Sequence, residues 1–168
     1  MTEKTDEIAI RKSRPEDIDI IMPVYDSARQ FMRSKGNMTQ WTNGYPSRGA
    51  ILADIAGCNH YIGIDSKGMP AMVFALILGP DPTYNIIEDG AWPHNGPYAT
   101  IHRLASTGRH CGVLAACTSF ALKLADTIRL DTHADNSAML TAALRLGYVR
   151  CGIIYCQDGT PRIAMQLN

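Results

Sequence analysis

The stretch that most limits what this chain can become runs from Tyr98 to Leu124. There an apolar strand pattern, Tyr98-Ala-Thr-Ile-His-Arg-Leu-Ala105, leads through Ser106-Thr-Gly-Arg-His-Cys-Gly112 into the helical spacing of Val113, Cys117, Phe120, Ala121 and Leu124. A strand that delivers the chain to a helix start across a glycine-bearing loop leaves free N–H groups at that start. Aided by the helix dipole, they can hold a pyrophosphate. The loop lacks the Gly-Lys-Ser/Thr of a nucleotide P-loop and the Gly-x-Gly-x-x-Gly of a dinucleotide fold. A plain strand-to-helix connection is the alternative reading of so short a motif.

Elements of the same two kinds flank this stretch. Ile8 to Lys12 reads as a strand, and Ser13-Arg-Pro-Glu16 after it has the Ser-x-x-Glu form of a capping box. Ile21, Val24, Tyr25, Ala28 and Met32 recur at helical spacing up to Gly36, with Pro23 expected to kink or split that helix. Ser47 is placed to cap a short helix through Ile51, Leu52 and Ile55. Tyr61 to Asp65 and Ala71 to Leu78 read as a hairpin about Ser66-Lys-Gly-Met-Pro70. Gly79 to Gly96 is irregular, and connections of that length are often lids. Thr127 to His133 gives a strand with Ile128, Leu130 and Thr132 on one side and Arg129, Asp131 and His133 on the other. Asn136 caps a helix that carries Met139, Leu140, Ala143 and Leu146 on one face and stops at Gly147. Val149 to Cys156 and Arg162 to Leu167 pair about Asp158-Gly159. The order β-α-α-β-β-β-α-β-α-β-β predicts one α/β domain over residues 1–168, a mixed, mostly antiparallel sheet of about seven strands flanked on both faces by four helices.

Composition excludes several classes of function. The 16 basic and 16 acidic residues cancel, so no long-range field draws the chain to nucleic acid or to an anionic membrane. No apolar run approaches the roughly 20 residues of a membrane helix, and Met1 to Glu7 lacks the apolar core of a secretion leader, which predicts a cytoplasmic protein. The 5 cysteines show no Cys-x-x-Cys spacing and read as buried, reduced thiols.

On these residues the sequence resembles the GNAT acetyltransferases. Their signature, Gln/Arg-x-x-Gly-x-Gly/Ala at the start of the helix after the fourth strand, reads here as Arg109-x-x-Gly112-x-Leu114. The likeness continues in Asn136 through Gly147-Tyr148, which matches the family's Asn-(x)10-Gly-Phe element, and spans nearly the whole chain. Trp41-x-Asn-Gly-Tyr-Pro46, His102-Arg103, Asp131-Thr-His133 and Cys151-Gly-Ile-Ile-Tyr155 resemble a bacterial subgroup without an assigned substrate.

The resemblance implies an N-acetyltransferase that uses acetyl-CoA as cosubstrate, needs no metal, and acts on an amine of a small molecule or, as a variant, of a protein or peptide. Arg109, His110, Cys111, Gly112, Val113 and Leu114 would grip the CoA pyrophosphate, chiefly by main-chain amides. Leu104, Ala105 and Ser106 would pair with the pantetheine arm, which Asn136 would also approach. Leu114 stands where Gly or Ala is usual, and its side chain is expected to crowd the phosphates; Ser106 replaces the commoner apolar residue. Trp41, Asn43, Tyr45 and the Gly79 to Gly96 stretch would build the acceptor pocket. The partners implied are acetyl-CoA and the amine, with no nucleic acid and no membrane, and a homodimer fits a domain of this kind.

Acetyl transfer needs an unprotonated amine and a proton for the departing thiolate. His102 matches in offset a histidine that serves in proton removal in the family and is the candidate base; a core histidine bonded to backbone is the alternative. The family's acid, a Tyr seven residues after the helix-starting Asn, is replaced by Ala143, which leaves Tyr155, Cys117 or a water, with Tyr155 preferred because phenols donate readily. Arg103 is expected to point opposite His102 along a regular strand, toward a carboxylate or an anionic acceptor. Asp131, His133 and Asp135 can be read as metal ligands or as hydrogen-bonded support for the turn into Asn136. Two rival functions follow: a non-catalytic acyl-CoA sensor and a metal-dependent hydrolase.

Overall fold

The structure, a computed structural model, describes residues 7–168. Most of the polar segment read above against a secretion leader lies outside them. The elements are β1 (Ala9–Lys12), α1 (Ile18–Ser34), α2 (Arg48–Ala56), β2 (His60–Ile64), β3 (Pro70–Leu78), β4 (Ala99–Ser106), α3 (Val113–Ala121), β5 (Ile128–Thr132), α4 (Ser137–Arg145), β6 (Val149–Tyr155) and β7 (Pro161–Leu167). Their order is the one the periodicities predict. Seven strands make one mixed sheet in the order β1-β2-β3-β4-β5-β7-β6. The β1–β2, β2–β3, β5–β7 and β6–β7 pairs are antiparallel, and β4–β5 is parallel.

By compactness the chain divides into two units, one of the described residues up to Ala75 with Arg103–Cys117, the other of Leu76–His102 with Thr118–Asn168. In the first, α1 and α2 turn Ile21, Val24, Tyr25, Ala28, Ile51 and Ile55 onto Ile62, Val73 and Ala105 of the strands. Each such side chain contributes about 1.5–3 kcal/mol by leaving water. Pro23 lies inside α1 without ending it, contrary to the expected split. The buried residues on either side of it, Ile21, Val24 and Tyr25, hold the turn through tertiary packing.

The expected capping box is also displaced. A 3-10 turn over Pro15–Asp17 precedes α1, and the Arg14 amide donates to Asp17 Oδ2 at 2.7 Å. Ser13 is instead drawn into the core, where its hydroxyl meets His60 Nδ1 at 2.7 Å. Ser47 caps α2 as predicted, its side chain accepting from Ala50 N at 3.1 Å.

In the second unit Tyr84, Cys151, Ile154 and Ala164 form a core with Ile87, Trp92 and Tyr98 packed on it. The β4–β5 register is Ala99↔Ile128 and Thr100↔Arg129, while β5 continues along β7 to Thr132↔Ile163. The stretch expected to be a lid is tied down. Gly79 N donates to Tyr98 O at 3.1 Å, Trp92 Nε1 to Tyr84 O at 2.9 Å, and Glu88 and Ile153 exchange both main-chain bonds at 2.9 and 2.8 Å. A Cβ on Gly90 would lie 1.9 Å from Cys151 O, and one on Gly152 2.5 Å from Glu88 O, so the close approach requires glycine at both places.

Of the expected α3 face Cys117 and Ala121 are buried, with Leu114 and Thr118 buried beside them, whereas Val113 and Phe120 are half-buried and Leu124 lies past the helix end at 48% exposure. Asn136 caps α4 through Met139 N at 3.2 Å, and Gly147 follows the helix at φ +95°. Of its predicted face, Ala143 alone is fully buried.

Candidate active site

The loop from Ser106 to Gly112 belongs to the first unit. Its side chains are turned back onto the β2–β3 hairpin: Arg109 Nη2 donates to Pro70 O at 3.1 Å, His110 Nε2 lies 3.1 Å from Asp65 Oδ2, and Thr107 N donates to Ala71 O at 3.1 Å. The Met69 amide, opposed by burial and joined by Lys67 N and His110, holds the Asp65 carboxyl below its usual range. Ser106 Oγ takes the Gly108 amide at 3.0 Å, and Gly108 and Gly112 adopt φ +78° and +72°. Ala116 N donates to Gly112 O at 3.0 Å. Among the described residues the amides from Arg109 to Ala115 have no main-chain acceptor, as the first turn of a helix requires. Leu114 is 4% exposed, so its side chain is turned into the core rather than crowding those amides. Cys111 is exposed.

Strand β4 is not regular. Arg103 has φ +52°, a left-handed backbone that costs a residue with a Cβ about 1–2 kcal/mol, so simple alternation with His102 fails there. Its guanidinium is the one expected to meet a carboxylate: Nε and Nη2 bind the two Asp54 oxygens at 2.8 Å each, and Nη1 donates to the Tyr45 hydroxyl at 3.0 Å. The Arg103 carbonyl accepts from Tyr25 Oη at 3.1 Å, and that hydroxyl also meets His60 Nε2 at 3.0 Å. Burial, then the Arg103 charge, pushes the His60 pKa down to about 4, so the ring is neutral near pH 7. The bonds then run in one direction, from Ser13 Oγ to Nδ1, from Nε2–H to Tyr25, and from Tyr25 to Arg103 O. Trp41 stands edge-on to Tyr25 and Tyr45, with centroids 5.7 and 6.5 Å away. Asn43 is exposed at φ +55°.

His102 ends the β4 segment of the second unit and meets groups that no spacing rule links to it. Its Nε2 lies 2.7 Å from Asp81 Oδ2, its Nδ1 lies 3.9 Å from Asp131 Oδ1, and its ring centroid is 6.0 Å from that of Tyr84. Asp81 Oδ1 accepts from Thr83 N at 2.9 Å and Thr83 Oγ1 at 2.7 Å. Burial alone would raise this carboxyl; the bonds from His102 and Thr83 outweigh it and bring the pKa to about 2. Tyr84 donates to Asp131 Oδ1 at 2.6 Å, and burial followed by the Asp131 charge raises its phenol well above the ordinary range. Arg129 lies between Trp92 and Tyr98, 3.9 Å from each ring centre, and donates to Gln166 Oε1 and His94 O at 2.9 Å.

The other candidates lie in different company. Tyr155 is 42% exposed and donates to Glu88 Oε2 at 2.9 Å, a bond that raises its pKa. Cys117, which belongs to the first unit, is fully buried, and burial raises its thiol well above the usual range. The Asp131-His133-Asp135 set does not close on a point. Asp131 receives Tyr84, His133 Nδ1 accepts the Asp135 amide at 3.1 Å, and among the described residues no three His, Cys, Asp or Glu side chains are grouped to hold a metal ion.

Sequence reasoning missed Asp81, Tyr84, Tyr25, His60 and Asp54. The one usable signal was Asp81-Pro-Thr83, an Asp that caps its own turn and so must be held rigid.

No family model and no curated protein matches the sequence. Solved structures do. An acetyltransferase of the GNAT family from Streptococcus agalactiae is 34% identical, with 95% of this chain and 94% of that one covered at a TM-score of 0.84. A GNAT-family acetyltransferase from Listeria monocytogenes is 19% identical over 99% and 98% of the two chains at 0.72. The PaiA N-acetyltransferase of Thermoplasma acidophilum, in complex with coenzyme A, is 16% identical over 95% and 98% at 0.67. The last two likenesses concern the fold alone.

Proposed function

Since the chain belongs to the GNAT family of acetyltransferases, we propose that it moves the acetyl group of acetyl-CoA directly to the amine of a small molecule, with His102 as the base. The observation that carries this reading is the 2.7 Å bond between His102 Nε2 and Asp81. An ionised Asp81 accepts from Nε2–H, which fixes the tautomer and leaves the Nδ1 lone pair free to take a proton. Such an oriented base supports group transfer over a protein that only senses CoA.

The unbonded amides of Arg109 to Leu114 hold the coenzyme's pyrophosphate, and main-chain groups of Leu104 to Ser106 pair with the pantetheine; the CoA bound to the Thermoplasma relative supports this cosubstrate. By the family resemblance Asn136, already the α4 cap, is assigned to the pantetheine arm, and Trp41, Asn43 and Tyr45 to the acceptor. The acceptor, bound as its ammonium, gives one proton to His102 Nδ1, and the neutral amine so formed attacks the thioester carbon. As the tetrahedral adduct collapses the C–S bond breaks, the nitrogen passes a second proton to solvent and keeps the third as the amide N–H, and the CoA thiolate takes up a proton. Tyr155 holds its proton too tightly to supply it well, because Glu88 raises a group that already lies above an ordinary thiol. The imidazolium formed on His102, or a water, is the better donor. We read residues 1–168 as one transferase domain and, with five free thiols, place it in the cytoplasm.

Coupled detection of CoA release over a panel of small amines tests this. The expected result is saturable, amine-dependent release that falls about 10²–10⁴-fold in His102→Ala. CoA binding with no amine acetylated at all would leave a sensor.

A further inference from the structure

We propose that the acceptor enters as a primary ammonium ion and that its nitrogen is seated between Asp131 Oδ1 and His102 Nδ1, which makes Asp131 a substrate-binding residue. The inference rests on His102 being the base. With Nε2–H directed to Asp81, the second ring nitrogen presents a lone pair, and across from it stands a carboxylate oxygen 3.9 Å away. That distance is too long for a direct hydrogen bond. In the neutral ring both Nδ1 and the carboxylate oxygen are acceptors, and the arrangement suits a donor that carries at least two hydrogens.

A nitrogen placed about 2.8 Å from each atom would see them at an angle of about 90°, near enough to tetrahedral for two charge-assisted bonds. A primary ammonium fits that geometry; an alcohol, with one proton, does not. Solvent reaches both side chains, His102 at 20% and Asp131 at 13% exposure. Tyr84 donates to the same Asp131 oxygen at 2.6 Å, which fixes the carboxylate while leaving that oxygen a second lone pair.

The charge of the site is also left for a ligand to balance. Among the described residues neither Asp81 nor Asp131 forms a salt bridge with a lysine or arginine. Arg129, two residues before Asp131, spends its cation between Trp92 and Tyr98 and its donors on Gln166 and His94. Once bound, the ammonium hands one proton to Nδ1 and keeps the other two. Its lone pair then forms the N–C bond of a tetrahedral adduct. As that adduct collapses the C–S bond breaks, the imidazolium proton passes to the departing CoA thiolate, one of the two remaining N–H protons goes to solvent, and the other stays on the amide.

The test titrates the full chain, with ¹⁵N-labelled histidine, at pH 8 with n-butylammonium chloride and separately with n-butanol. The expected result is a saturable shift of the His102 Nδ1 resonance with the ammonium and none with the alcohol. In Asp131→Asn the ammonium should bind about tenfold more weakly, the loss of one charged hydrogen bond. Equal responses to ammonium and alcohol in the unaltered protein, or unchanged affinity in Asp131→Asn, would overturn the seat. A parallel titration with coenzyme A read at the Gly112 amide separates the two proposals. Silence there with an intact ammonium response sinks the transferase reading and leaves the seat, and the reverse pattern sinks the seat alone.

Discussion

Replacing Asp81 by Asn keeps the shape of the side chain and removes the one feature that orients the base. The Thr83 amide and hydroxyl both donate to Oδ1, so the Asn oxygen must stay with them and its NH2 must face His102 Nε2. An NH2 there donates to Nε2, moves the ring proton to Nδ1, and leaves no lone pair where the amine is to be deprotonated. The expected fall in kcat is about 10²–10⁴-fold, the usual worth of a positioned base, with the KM for acetyl-CoA unchanged. The same contacts set a stability cost. A carboxyl lowered from 3.8 to about 2 stabilises the fold above its unfolded pKa and loses that contribution as pH falls through about 2. The shift corresponds to about 2 kcal/mol, and screening at the partly open edge leaves about 1 kcal/mol. Steady-state kinetics with urea denaturation at pH 7 reads both quantities. Wild-type kcat in a folded Asp81→Asn protein would refute the orienting role.

Four further outcomes are expected. His60, lowered to about 4, binds its proton more readily in the unfolded chain, so stability should drop by up to about 3 kcal/mol as pH falls from about 6.5 to about 4; urea titrations of wild type and His60→Gln should differ in that window, and parallel curves would contradict it. Tyr25→Phe strips a partner from both Arg103 O and His60 Nε2 and should cost about 1–3 kcal/mol, read as a lower Tm. Thr132 Oγ1 is buried without a hydrogen-bond partner among the described residues, so Thr132→Val should stabilise the fold by about 1 kcal/mol in denaturant melts. Tyr155→Phe should leave kcat within about twofold, because its phenol is committed to Glu88; a large fall would restore it as the acid.

Much of the fold was legible because two periods alternate cleanly along the chain. The seven strands and four helices follow from them, as do Ser47 and Asn136 as caps and Gly147 as a stop. Local signals failed where tertiary contacts outbid them. Ser13 left its cap for His60, Pro23 was carried through α1 by the buried residues around it, and Leu114 turned inward because a helix ending at Ala121 buries the face at that spacing.

In the candidate site, the strand position of His102 and the glycine-bearing turn into α3 at Gly112 were readable. Asp81 and Tyr84 were not, since they arrive from an irregular stretch whose path is fixed by Glu88, Trp92 and Tyr98, contacts with no periodicity. Asp131 could be read as a metal ligand or as a hydrogen-bonding support, and the chain sets it beside a histidine and a phenol. Arg103 could not be aimed from alternation because its left-handed backbone, within β4, departs from the extended conformation that alternation assumes.

The kcat/KM for the first amine found to be acetylated, compared between wild type and a folded His102→Gln protein, bears most directly on the chemistry. The variant should lose about 10²–10⁴-fold in rate while its affinity for coenzyme A stays unchanged. A variant that retains the wild-type rate would show that another group takes the proton.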